Sequence, residues 1–316
     1  MSVFVRQNGS TSVYDNGDTW VILSDIERRI KEKVEQIGIP LKDWDLQINY
    51  GIKTGFNEAF IIDSAKRQEL IAQDSKSAEI IRPILRGRDI KRYGYDFDDK
   101  YLIATFPSRN YNIDVYPAVK KFLEGFKPKL KQTGEELTET EINQVLAHAK
   151  ANDIPIKESN LKSARKKTNN KWFETQDSIS YWDDFSKQKI AWGNLNLSAS
   201  YSIVPEGFFV NAPCPLIIPA SKYLLAILNS KLADFYIRVL AKKRNGGYIE
   251  YKPMFIERLP VPAVSDKEQV KLVSLVDKMM DADENIDLKT IEKRIDNLIY
   301  GLFDLTEEEI QFIDFQ

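Results

Sequence analysis

The stretch "GIKTGFNEAFIID", residues 51–63, holds two glycines, a Lys-Thr pair and then an alternating apolar run. A nucleotide-binding P-loop needs GxxxxGK[ST], with the lysine and hydroxyl after the second glycine and a helix following. Here Lys53 and Thr54 precede Gly55, and "EAFIID" reads as a strand. The order argues against an ATPase loop. It leaves open a different polyanion, the phosphate backbone of DNA, or a plain glycine turn.

The rest of the chain narrows the choice. Its 316 residues suffice for one large domain or two ordinary ones, and 43% hydrophobic residues allow a substantial core. No apolar run is long enough to span a membrane. "MSVFVRQNGS" lacks the apolar centre of a signal peptide, so a cytoplasmic protein is expected. One cysteine, Cys214, excludes an internal disulfide and a thiolate metal cluster. One histidine, His148, excludes HExxH sites; its segment "EINQVLAHAKAND" reads as a polar helix that exposes it. GxGxxG, [DNS]PP[YF] and FxGxG-like cofactor loops are all missing, although "NAPCP" at 211–215 approaches the second.

The net charge of −2 hides a split. Residues 263–316 carry 14 acidic and 6 basic residues, which leaves 33 acidic and 39 basic in residues 1–262. A basic body with an acidic tail is compatible with DNA binding, because the local field matters more than the total. Three basic clusters lie in that body. The first is Arg82, Arg86, Arg88, Lys91 and Arg92; the second is Lys162, Arg165, Lys166, Lys167 and Lys171; the third is Arg238, Lys242, Lys243, Arg244 and Lys252. Amide and aromatic groups that can read or stack on bases are interleaved with them, among them Asn194, Asn196, Asn245, Tyr248, Tyr93 and Tyr95. Each cluster could instead be a solvated face, and Arg82–Arg92 could pair with internal carboxylates to fix a turn. Trp172, Trp182 and Trp192 read first as core residues.

Local patterning predicts an α+β fold. Residues 1–23 read as extended, with turns at Asn8-Gly9 and Asn16-Gly17. Ser24 and Glu27 form a capping box before a helix with Ile26, Ile30, Val34 and Ile37 at helical spacing. A short helix is expected over 65–72 with Ser64 as its cap. A helical start is expected in "SAEIIRPIL", broken at Pro83, and a buried strand in "KYLIATF". Pro117 opens a further helix. Residues 131–170 read as a polar insertion with a helix near 139–151 and a mobile basic end. "WFETQDSISYWDDF", "KIAWGNL", "ASYSIVPEGFFVN" and "PLIIP" read as short strands, and 222–240 as one amphipathic helix. Residues 1–262 form the expected main domain. Three helices near 266–282, 287–301 and 306–313 form a C-terminal tail, whose stripe of Val270, Val273, Val276 and Met280 should pack inward.

Several stretches in order resemble one family. "YGIKTGFNEAFIID" followed by "EIIRPILRGRDIKRY" is similar to the target-recognition region of type IIG restriction–modification enzymes and adenine-specific DNA methyltransferases, the TaqI-like C-terminal specificity domain. "WFETQDSISYWDDFSKQKIAW", "YLLAILNSKLADFYIR", "GGYIEYKPMFIERLPVP" and the final "IEKRIDNLIYGLFDLTEEEI" agree, so the resemblance runs from about residue 20 to the end. It implies a strand-rich DNA target-recognition domain with peripheral helices and a helical tail, and no catalysis in this chain. The partner would be double-stranded DNA together with a methyltransferase domain or subunit. That part would use S-adenosylmethionine to methylate adenine at N6, with Mg for any cleavage. Candidate DNA contacts are Lys53, Thr54, Arg86, Arg88, Lys91, Arg92, Arg165, Lys166, Lys167, Asn194, Asn196, Lys242, Lys243, Arg244, Asn245 and Tyr248. Three alternatives stay open, one of them a pure protein-interaction domain without salt-sensitive DNA affinity. "RLPVPAVSDKEQVKLVSLVDKM" is also similar to the end of a type I specificity subunit's recognition domain. Asp234 with Glu250 and Lys252 could form the D…ExK site of a metal-dependent nuclease.

Overall fold

The computed structural model describes residues 23–281 and 287–315. The expected turns at Asn8-Gly9 and Asn16-Gly17 lie outside them. Ser24 caps α1 (Asp25–Ile37) with the reciprocal Ser24–Glu27 bonds of a capping box. The chain then runs through β1 (Ile39–Pro40), β2 (Gln47–Tyr50), a single helical turn (Asn57–Phe60), β3 (Ile61–Asp63) and α2 (Ser64–Gln73). "EAFIID" is thus half helical turn and half strand. The cap of α2 is Asp63, whose carboxylate accepts from Lys66 N, rather than Ser64.

Next come β4 (Ile81–Leu85), β5 (Ile90–Lys91), β6 (Gly94–Tyr95), β7 (Lys100–Ile103), α3 (Pro117–Glu124) and α4 (Glu139–Ala151). Pro83 breaks no helix; it lies within β4. β11 (Phe209–Val210) pairs with Ile84 and Leu85 alone, so Pro83 sits beyond the end of that ladder. Between α4 and β11 lie β8 (Lys189–Trp192), β9 (Leu195–Asn196) and β10 (Tyr201–Val204). "WFETQDSISYW" forms no strand: it is a loop leading into a 3-10 turn, Trp182–Ser186.

β12 (Pro215–Ile218) leads to α5 (Lys222–Leu228) and α6 (Lys231–Leu240), which replace the single helix expected there. The break is built in. Asn229 turns its side chain to the Tyr201 backbone, accepting from N and donating to O at 3.0 Å each, and Ser230 caps α6. β13 (Ile249–Glu250), β14 (Pro260–Val261), α7 (Asp266–Met280), α8 (Leu288–Leu302) and α9 (Glu307–Asp314) complete the chain. Among the described residues, no helix is long and apolar enough to cross a membrane.

The fold is α+β, organised around an antiparallel sheet of order β10-β8-β12-β2. β8, β10 and β12 are buried along their whole length. Side chains alternate across a sheet, and here both sets are mainly apolar, with Lys189 and Ser202 the buried polar members. Ile190, Trp192, Tyr201 and Ile217 face one core with α1, α5, α6 and the tail helices. Ala191, Val204, Leu216 and Ile218 face a second core, built on a mixed sheet of order β11-β4-β7-β3 and on α2, α3 and α4. Trp192 is a core residue, as expected, and donates from Nε1 to Tyr251 O at 2.7 Å.

The tail's inward stripe is Leu272, Leu275, Val276 and Met279, while Val270 is 63% exposed. Of the expected stripe, Val276 is buried and Val273 and Met280 pack half-buried against the same core, so three of its four residues face inward and the leucines widen that face. His148 is not an exposed helix residue either. Its ring packs against Phe122 and Phe126. A Cβ on Gly125 would lie 2.2 Å from that ring, so glycine is required there.

Burial holds the His148 imidazole below its ordinary range, with Lys66 adding to the effect and a backbone contact from Phe122 opposing it. A folded pKa beneath the unfolded value of about 6.5 places this stabilisation above the unfolded pKa. It is lost as pH falls through the folded pKa. Acidification from about pH 7 to pH 5 should therefore lower the melting midpoint more in the native protein than in a His148→Leu variant. Parallel pH curves for the two would contradict the buried neutral imidazole.

Candidate nucleic-acid interface

One end of the central sheet carries the loops that matter. β2 ends at Tyr50 and β8 at Trp192, while β12, antiparallel to both, begins there at Pro215. Gly51 N donates to Cys214 O at 2.7 Å and Ile52 N to Val210 O at 2.7 Å, so the first glycine of the opening stretch is pressed against a neighbouring strand. A Cβ on Gly51 would sit 2.4 Å from Val210 O. Three adjoining clefts form a groove across this sheet end. The first lies along Lys53, Gly55, Asn57, Lys129, Asn160 and Asn211. The second shares Lys53 and Ala212 with it and adds Tyr50, Asn170, Gln176, Asp177 and Tyr181. The third meets the second at Pro213 and continues along Asn194, Leu195, Lys243, Arg244, Asn245 and Lys252.

The Lys53-Thr54-Gly55 loop is thereby assigned a form. Lys53 is exposed on the groove and Thr54 is buried. The Thr54 hydroxyl donates to Asn57 Oδ1 at 2.7 Å and accepts from Phe56 N at 3.1 Å, so it braces its own turn and is no phosphate contact. Gly55 adopts φ +80, where glycine is favoured, and a Cβ would meet Gln176 Oε1 at 2.7 Å.

Arg165 also leaves the set of DNA contacts. It is 2% exposed, and its guanidinium donates to Leu130 O, Thr54 O, Glu174 O and Trp172 O at 2.7–3.0 Å. Burial pulls its pKa below the usual guanidinium range. The basic end of the insertion is therefore anchored at Arg165, which holds the loop behind Lys53 in place. Its neighbours Lys166 and Lys167 are exposed, close in sequence to Thr168 on the groove.

The first basic cluster is largely spent on the protein itself. Arg86 pairs with Asp89 at 2.9 Å and with Asp98 at 2.5 Å, and Arg92 pairs with Glu292 of α8 at 2.8 Å. Arg88 and Lys91 are exposed, with looser contacts to Asp89 and Asp96. None of the four lines the groove, although Gly87 abuts Gly193 and Cys214 at its back. The third cluster is placed otherwise. Lys242, Lys243, Arg244, Asn245 and Tyr248 are exposed on the turn before β13. Asn194 lines the groove with Lys243, Arg244 and Asn245, Lys242 and Tyr248 lie outside its lining, and Asn196 donates its amide to Gly193 O at 3.0 Å.

The nuclease arrangement does not form. Asp234 accepts from Ala199 N and Tyr251 Oη and pairs with Arg238 at 2.7 Å. Glu250 is buried between Arg244 and Lys252, which hold its carboxyl below the usual range, Lys252 foremost. Among the described residues, no group of three His, Cys, Asp or Glu could hold a metal. Gln176, Asp177 and Tyr181 were missed as groove residues because the aromatic texture of 172–185 suggested a strand where there is a loop, and Asn170 because it falls in the polar insertion. The loop's signal was the mixture of Asn, Gln, Asp and Ser, in which the turn-favouring types predominate.

The model of the TaqI-like C-terminal specificity domain matches residues 82–261, more than half of the chain. A relative described as Type II methyltransferase M.BstVI, from Geobacillus stearothermophilus, is 22% identical over 305 residues, covering 94% of this chain and 46% of its own length. Among solved structures, the Type IIL restriction-modification enzyme MmeI in complex with DNA superposes with a TM-score of 0.57 at 11% identity, over 87% of this chain and 35% of that one. The type IIG restriction endonuclease BpuSI gives a TM-score of 0.46 at 15% identity, over 89% and 33%. The chain thus spans about half the length of the curated relative and about a third of each enzyme.

Replacing Arg165 by Ala would leave Leu130 O and Trp172 O without their donor, whereas Thr54 O keeps Gln176 N and Glu174 O keeps Gln132 Nε2. Unfilled buried hydrogen-bonding groups cost about 1–3 kcal/mol each, so the urea midpoint should drop by an amount worth at least about 2 kcal/mol. Normal stability with weakened DNA binding would instead return Arg165 to the interface.

Proposed function

The chain belongs to the family of TaqI-like C-terminal specificity domains, and from that premise we propose that its groove is the surface that reads double-stranded DNA for an adenine-N6 methyltransferase or type IIG restriction–modification enzyme. The observation that carries the reading is the groove itself. It gathers Lys53, Lys243, Arg244 and Lys252 with Asn194 and Asn245 at one sheet end, while the amides of Asn170 and Gln176 in its wall donate to internal oxygens. Lysine and arginine supply phosphate contacts that are salt-dependent and blind to sequence. Amides supply the paired donor and acceptor that distinguish base edges, most fully in the major groove.

The chemistry would belong to a methyltransferase domain or subunit acting on the same duplex. S-adenosylmethionine, and Mg for any cleavage, would be held there. The target adenine would leave the stack to reach that pocket, while this chain fixes the register. The type I alternative draws no support from these relatives, which are described as type II, type IIG and type IIL proteins.

The reading predicts which cations matter. Selection from a randomised duplex pool at several salt concentrations should enrich a short motif. Against that motif, Lys53→Ala, Lys242→Ala and Lys243→Ala together should flatten the dependence of log K on log salt by up to about 2.7, since each phosphate neutralised by a lysine contributes about 0.9. Arg92→Ala, which removes the partner of Glu292, should leave the slope unchanged. A slope that responds to Arg92 and not to the three lysines would place the interface on another face.

A further inference from the structure

The third stretch of the groove contains side chains that a phosphate-binding surface does not need. β9 and β13 form a two-stranded antiparallel ribbon, with Ile249 opposite Asn196 and Glu250 opposite Leu195. Its inner face is anchored by Ile249, which is fully buried. The alternation of a strand places Leu195, and beyond it Leu197 and Tyr248, on the other side. These three are 49%, 57% and 41% exposed. Gly247 approaches the Leu197 side chain, so the turn and the strand form one tip. Lys243, Arg244 and Lys252 share a cleft with Leu195, next in sequence to the exposed Lys242, with Glu250 the acid that Arg244 and Lys252 share.

Exposed leucines are costly to leave in water, and these lie beside cations that call for a polyanion. A two-stranded ribbon fits the major groove of B-DNA. Along that groove the base edges offer hydrogen-bonding groups and one apolar feature, the 5-methyl of thymine. We infer that the β9–β13 tip enters the major groove and that Leu195, Leu197 and Tyr248 read thymine methyl groups there, making them specificity-determining residues. This rests on the DNA-recognition reading above and goes further by naming the base and the atoms recognised. The basic residues set affinity, whereas the apolar tip discriminates thymine from cytosine at the pairs it touches.

The test uses the duplex enriched from the random pool, synthesised once with thymidine and once with deoxyuridine in its place. The change deletes the methyl groups and leaves every Watson–Crick bond. The expected result is a loss of about fourfold in affinity for each methyl buried against the tip, with the salt slope unchanged. Leu195→Ala, Leu197→Ala and Tyr248→Ala together, all exposed and so compatible with folding, should bind the two duplexes alike and keep the native salt slope. Equal binding of both duplexes by the native chain would overturn the inference while leaving the DNA-recognition reading intact. So would a fluorescence rise from 2-aminopurine placed beside the contacted step, which would mark the tip as a wedge that unstacks bases. Failure to bind any duplex would overturn the reading beneath it as well.

Discussion

The groove depends on a sheet that is mainly apolar on both faces. β8 and β12 have no solvent side: Ile190 and Ile217 point into one core, Ala191 and Leu216 into the other. A one-residue slip in register would exchange the two sets and mismatch both cores at once. That double constraint fixes where β2, β8 and β12 end, and with them the loops at 50–55, 193–195 and 211–213. Recognition needs side chains held to within a fraction of an ångström, and a sheet clamped between two cores is a frame of that kind. The tail helices belong to this clamp, since Leu272, Val276, Ile295 and Ile299 lie in the same core as Trp192 and Tyr201.

Positive charge serves three separate purposes in this chain. Arg165 and Lys189 are internal: each spends its donors on backbone carbonyls, Lys189 on Pro205 O and Phe208 O at 2.9 and 3.0 Å, and burial lowers both pKa values. Arg86 and Arg92 are structural ion pairs that fix a turn and tie the body to α8. Lys53, Lys242 and Lys243 are exposed at or beside the groove. A count of basic residues mixes the three groups, and only burial and pairing separate them.

This is why the sequence was legible unevenly. Capping boxes at Ser24 and Thr306, the helix over 139–151 and the strand in "KYLIATF" depend on local chemistry and were readable. Pro83 in a strand and the break at Asn229 depend on distant partners, and local propensity gives way to tertiary context there. The same division holds for the site. Lys53, Lys243 and Asn194 could be picked out from residue type and from the family resemblance. That Thr54 and Arg165 face inward, and that Gln176 and Tyr181 line the groove, follows from contacts across more than a hundred residues, such as Arg165 with Thr54 O and Tyr181 Oη with Tyr50 O.

The most direct measurement is amide hydrogen exchange on the purified chain with and without its enriched duplex. Protection on DNA binding should concentrate at residues 50–55, 168–181, 193–197 and 242–252, the segments that line or flank the groove. The turn at 86–92 and helices α7 to α9 should exchange as they do in the free protein. Protection centred on those elements, with the groove segments unchanged, would contradict a DNA-reading groove at the sheet end.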